Sequence, residues 1–133
     1  MTGGSADIVV GVDGSAASLA ARQWTLTEAR QSGRTAKAVH ARPAGIATSC
    51  WEPAALAAAA GAPFGTETVD GLPGPTLVEA SAGAEMLVLG SHGQHGLLRQ
   101  LVGSVSAYCL REAACPVVVI PARTVGTLAP PRC

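Results

Sequence analysis

Residues 87–121 read LVLGSHGQHGLLRQLVGSVSAYCLREAACPVVVIP, and their pattern decides the fold. The opening "LVLG" closes "EMLVLG" (85–90), whose apolar residues after Glu85 are those expected of a strand buried on both faces. The fifteen positions 90–104 then hold four glycines and two serines. That is too many for a helix or strand interior, where each glycine gives up roughly 0.5–1 kcal/mol against alanine. Residues 103–115 return to helix formers, with Ala107, Leu110 and Ala114 along one side at helical spacing. The last run, 116–121, is a strand fenced by Pro116 and Pro121. Strand, glycine loop, helix and strand in succession point to parallel pairing through a helical crossover.

The alternation extends back to the N-terminus. "DIVVGVD" (7–13) is a β-branched run that ends in turn chemistry. Residues 14–33 are rich in helix formers, carry Ala17, Ala20, Ala21 and Trp24 as an apolar stripe, and stop at Gly33, a C-cap signal. A second strand is expected over 35–41, a third over 66–71, and a short helix over 73–84 with Pro75 near its start. Residues 42–65 are broken by Pro43, Pro53 and Pro63. Their one helical stretch is "PAALAAAA", with Pro53 at its first position. The tail 122–133 shows no periodicity and is expected to be disordered. This is an α/β pattern with a mostly parallel sheet and helices on both faces, in one domain spanning 1–133 with its ordered core over about 7–121.

Composition narrows the function. The chain has 133 residues, nine basic and nine acidic, for a formal net charge of zero, with 48% hydrophobic residues. Without a basic surplus, a nucleic-acid partner is not expected. No apolar run approaches the roughly 20 residues of a membrane helix, and the N-terminal "MTGGSAD" has neither the charged nor the apolar part of a secretory signal. Cys50, Cys109, Cys115 and Cys133 form no CxxC pair, which fits thiols in a reducing compartment. A cytoplasmic protein that does not engage membranes is expected.

In sheets of this kind, ligands bind outside the carboxyl ends of strands, where the strand order reverses. Two strands end in ligand-friendly turns: one at Gly11, Val12, Asp13, Gly14 and Ser15, the other at Gly90, Ser91, His92 and Gly93. A strand, a glycine loop and a helix N-terminus make an anion site, because backbone N–H groups and the helix dipole both face it. The Ser104 and Ser106 hydroxyls either bond phosphate or cap the helix. The loop is not a Walker A, since the one lysine is Lys37. Nor is GxxGxxG at Gly90, Gly93 and Gly96 the dinucleotide fingerprint. From the glycines alone, an ordinary turn remains the alternative. Asp13 either contacts a ligand or caps the next helix. His92 and His95 with Cys109 or Cys115 lack the disciplined spacing of a zinc site, so no metal ligands are expected, and Arg99 either touches phosphate or faces solvent.

These residues resemble the universal stress protein family. Gly90, Gly93, Gly103 and Ser104 match, position by position, the G-x2-G-x9-G-[ST] motif of its nucleotide-binding members. "IVVGVDGSAAS" is similar to the family's first strand and acidic turn, and "AVHARP" to its second strand. "VDGLPGPTLVEASAGAEMLVLGSHG" is similar to its third strand, short helix and fourth strand. The resemblance implies a doubly wound, Rossmann-like sheet of five parallel strands in the order 3-2-1-4-5, the adenine nucleotide alpha-hydrolase-like architecture. It implies ATP with Mg²⁺ between strands 1 and 4. Asp13 and Val39 would lie beside adenine and ribose; Gly11, Gly90, Gly93, Gly96, Gly103, Ser104 and Val105 would line ribose and phosphates. Val12, Ser91, His92 and Ser106 complete the candidate set. Members commonly dimerise through their last strand, here Val117, Val118, Val119 and Ile120. One departure is that residues 42–65 are short and proline-broken where the family carries a long second helix.

No strong base stands beside the loop, and the SGGxDS-type turn of adenylating relatives is replaced by "GVDGSAAS". The expected function is therefore regulatory ATP binding in a stress response, without catalytic residues. A dimeric scaffold that binds no nucleotide and a slow ATPase are the alternatives.

Overall fold

The structure, a computed structural model, describes residues 6–13, 15–42, 64–91 and 104–121. The elements in chain order are β1 (Ile8–Gly11), α1 (Ala16–Ser32), β2 (Ala36–Arg42), β3 (Phe64–Asp70), α2 (Pro73–Ala80), β4 (Met86–Gly90), α3 (Ser104–Glu112) and β5 (Val117–Ile120). The strands form one sheet in the order β3-β2-β1-β4-β5, and every pairing is parallel. Val10 lies opposite Ala38 on one side and Val88 on the other. β1 is thus the centre of the sheet, and the order reverses between β1 and β4.

Side chains alternate across the sheet, so each strand feeds two apolar layers. Ile8, Val10, Ala36, Ala38, Val88 and Ile120 pack against Leu19, Ala20, Ala21 and Ala29 of α1, with Trp24 partly buried against them. Val9, Val39, Leu87 and Leu89 pack on the other face against Leu77 of α2 and Cys109 of α3. Each fully buried Val, Leu or Ile contributes about 1.5–3 kcal/mol over its exposed state. The small residues of α1 let its backbone lie close to the sheet.

The helix ends follow local chemistry. Ser15 is the N-cap of α1, its Oγ accepting the Ser18 N–H at 3.1 Å. Gly33 closes the helix at φ 73°, a left-handed position that costs other residues about 1–2 kcal/mol. α2 opens with Pro73 in its first turn, where no helical N–H is needed. It stops at Ala80, four residues before the expected end, because 81–84 fold into a turn in which Gly83 takes φ 87° and Ala84 N–H donates to Ser81 O.

Two further expectations shift. β3 begins at Phe64, two residues early, in full register with all seven residues of β2. α3 ends at Glu112, three residues before the expected end, so Ala114 lies beyond it; Ala107 and Leu110 are exposed on the helix, whereas Ser106 and Cys109 are buried. Ser106 Oγ donates to Gly90 O at 2.8 Å, and Cys109 Sγ lies 3.9 Å from Gly74 O. The helix thus turns Val105 and Cys109 into the apolar layer beside Leu77, with Ser106 bonded to the backbone of β4. The helix expected within 53–60 and the tail 122–133 lie outside the described residues.

Candidate functional site

β1 runs out into a turn held from three sides. Val12 N–H continues the ladder to Val39 O at 3.0 Å. Val12 O is 3.0 Å from His40 Nδ1 of β2. Asp13 N–H donates to Ser18 Oγ of α1 at 3.2 Å, and Asp13 Oδ1 accepts the Ser15 N–H at 2.9 Å. Ser18 Oγ in turn donates to Ser15 O at 3.1 Å. Capping of α1 therefore belongs to Ser15, and Asp13 shapes the turn just ahead of it. Its carboxylate, half-buried at the carboxyl end of β1, stands at the switch point.

The end of β4 lies beside it. Ser91 is buried, its N–H donating to Ile120 O at 2.9 Å. The Ser106 bond to Gly90 O draws the first turn of α3 onto the strand end. Ser104 is exposed and Val105 half-buried in that turn, which carries no acidic side chain. Its N–H groups are of the kind that lack intrahelical partners and favour anions. Gly14, His92, Gly93, His95, Gly96, Arg99 and Gly103 lie outside the described residues.

Two of the candidate glycines have packing reasons of their own. A Cβ on Gly90 would stand 2.5 Å from Ala17 C and 2.7 Å from Ala17 Cβ. A Cβ on Gly11 would meet Leu77 Cδ1 at 2.8 Å and Leu89 Cδ2 at 2.9 Å. Val12 and Val39 sit in the apolar layers, Val39 with no exposed surface. Among the remaining described candidates, Asp13 is half-buried just past the carboxyl end of β1 and Ser104 is exposed at the start of α3.

Other charged and nucleophilic groups complete the picture. Arg42 and Asp70 pair at the carboxyl ends of β2 and β3, with Nε and the terminal nitrogen 3.1 and 3.0 Å from Oδ1. Cys109 is fully buried; desolvation, with a smaller push from nearby Cys115, raises its thiol from 9.0 to about 11. Such a thiol is a poor nucleophile or metal ligand at neutral pH. Among the described residues, no group of His, Cys, Asp or Glu side chains is placed to hold a metal ion, and no helix is long and apolar enough to cross a membrane.

Sequence reasoning gave no role to His40. It is buried on β2, one residue past Val39, and reaches the exit of β1. The available signal was a titratable ring between the apolar Ala38-Val39 and Ala41, which needs a hydrogen-bond partner once buried.

Residues 52–121 match the universal stress protein family. The chain belongs to that family. A universal stress protein of Mycobacterium tuberculosis is 37% identical over 140 residues, an alignment covering 85% of this chain and 47% of that protein. The chain thus spans about half the length of the curated relatives it matches. Among solved structures, UspA from Lactobacillus plantarum superimposes with a TM-score of 0.70 at 26% identity, covering 87% of this chain and 97% of that one. A universal stress protein in complex with cAMP gives 0.67 at 30% identity, covering 86% and 95%. The strand order, the acidic turn after β1 and the glycine-bearing exit of β4 are this chain's form of the universal stress protein fold.

Proposed function

We propose that this universal stress protein binds ATP, with Mg²⁺ on its phosphates, and acts as a regulator in a stress response rather than as an enzyme. What supports this reading is the switch point: Asp13 lies at the exit of β1, and Ser106 in the first turn of α3 bonds Gly90 O at the exit of the adjacent parallel strand β4. A nucleotide needs a hydrogen-bond acceptor for its sugar or base and N–H donors for its phosphates, and these groups supply both. The motif completed by Gly93, Gly103 and Ser104 supports the triphosphate, and the cAMP complex of a similar protein supports an adenine nucleotide. Bound Mg²⁺ would neutralise phosphate charge. Asp13 would orient the nucleoside, and the α3 N-terminus would hold the anion. A cytoplasmic homodimer joined through Val117–Ile120 of β5 completes the proposal, β5 being an edge strand whose three valines are half-buried.

Nucleotide content tests it. Protein purified without added ligand is denatured, and the supernatant is run on anion-exchange chromatography beside Gly103→Val. ATP in the wild type and none in the variant is the expected result. Absence of nucleotide, with no Mg-ATP binding by calorimetry, would overturn it in favour of a scaffold. Steady phosphate release from ATP, abolished by Gly103→Val, would replace the regulator with an ATPase.

A further inference from the structure

We infer that His40 is a positioning residue for the nucleotide, acting through the Val12–Asp13 peptide; this rests on the nucleotide reading of the switch point. Both polar groups of that peptide are held by side chains from other elements. Its C=O meets His40 Nδ1 of β2 at 3.0 Å, and its N–H donates to Ser18 Oγ of α1 at 3.2 Å. A carbonyl only accepts, which assigns the hydrogen to Nδ1. His40 and Val12 are both buried, so the carbonyl would lose its His40 partner where water has little access.

The peptide matters because it sets the next residue. Asp13 leaves it directly, and the carboxylate is then turned by the bond from Ser15 N–H to Oδ1. With the peptide plane fixed from β2 and α1, the carboxylate is aimed before any ligand arrives. A loosened peptide would have to be ordered during binding, and that cost is subtracted from affinity. His40 therefore governs nucleotide affinity without touching the nucleotide.

The experiment compares wild type with His40→Leu, His40→Asn, Ser18→Ala and the double variant His40→Leu/Ser18→Ala. Mg-ATP affinity is measured by calorimetry, and exchange of the Asp13 and Ser15 amides is measured without nucleotide. The Asn side-chain amide nitrogen stands where Nδ1 stands relative to Cγ, so Asn keeps the donor while Leu removes it. Expected are affinity about tenfold weaker in His40→Leu with faster exchange at both amides, and near wild-type values in His40→Asn. Ser18→Ala should weaken binding as well, and the double variant by less than the product of the singles, because both act on one peptide. Wild-type affinity in His40→Leu, or no recovery in His40→Asn, would overturn the positioning role. Should His40→Leu not fold, wild-type affinity and exchange in Ser18→Ala would overturn it. Failure of the nucleotide reading looks different, since then the wild type itself binds nothing.

Discussion

At the scale of single residues, Gly90 carries two demands that the sequence cannot separate. It opens the motif proposed to hold phosphate, and it is also where α1 touches β4. The added methyl of Gly90→Ala would lie 2.5 Å from the backbone carbon of Ala17 and 2.7 Å from its oxygen. Backbone cannot turn aside, so the helix must move off the sheet. Overpacking of this kind costs about 1–3 kcal/mol, and the variant should unfold at correspondingly lower denaturant concentration. For Gly11→Ala the nearest atoms are side-chain methyls of Leu77 and Leu89, which can shift more readily than backbone, and it should cost less. Equal losses, or none at Gly90, would contradict this account. The practical consequence is that weakened binding in a Gly90 variant says little about phosphate, which is why Gly103→Val is the better probe. It also explains why glycine spacing alone left the loop undecided: one residue type serves close approach to a ligand and close approach to a helix alike.

At the scale of elements, α3 shows what was legible and what was not. Its existence and start were plain from the glycine loop and the helix formers after it. Its rotation was not, because the bonds of Ser106 to Gly90 O and of Cys109 to Gly74 O are made to residues far away in sequence. The same holds for the acidic turn: Asp13 was recognisable as a candidate, but His40 and Ser18, which hold its backbone, come from two other elements. Strands β1 and β4 were readable throughout, since runs buried on both faces need no tertiary knowledge. The contact of α3 with α2 also predicts a pH response. Burial, more than the charge of Cys115, keeps Cys109 protonated up to about pH 11, whereas the unfolded chain releases that proton from about 9.0. Between those values the unfolded state binds fewer protons, so stability should fall as pH rises and level off above them. Chemical denaturation across pH 8–11 should show this decline in wild type and a shallower one in Cys109→Ala. Parallel declines would remove Cys109 as the cause.

At the scale of the whole molecule, the strand order decides what the sheet can still pair with. Alternating apolar runs required a parallel α/β sheet, but the order β3-β2-β1-β4-β5 followed only from family resemblance, because strands of similar composition do not name their neighbours. That order leaves β5 at an edge. Leu87 N–H donates to Pro116 O and Ser91 N–H to Ile120 O. In a parallel ladder the partners alternate, so Pro116, Val118 and Ile120 turn their backbone groups to β4, while Val117 and Val119 turn theirs outward. If β5 joins two copies, the Val119 N–H is among the groups that do so, and it takes no part in the β4 ladder. Val119→Pro removes that donor at an edge position, where proline is tolerated, while Val119→Thr keeps it. Sedimentation should give about twice 13.2 kDa for wild type and Val119→Thr, and 13.2 kDa for Val119→Pro with its thermal transition retained. A dimer that survives Val119→Pro must be joined elsewhere. Wild type sedimenting as a monomer would instead leave the outward row of β5 without the partner proposed for it, and an apolar edge of that kind is the first place to look for aggregation on heating.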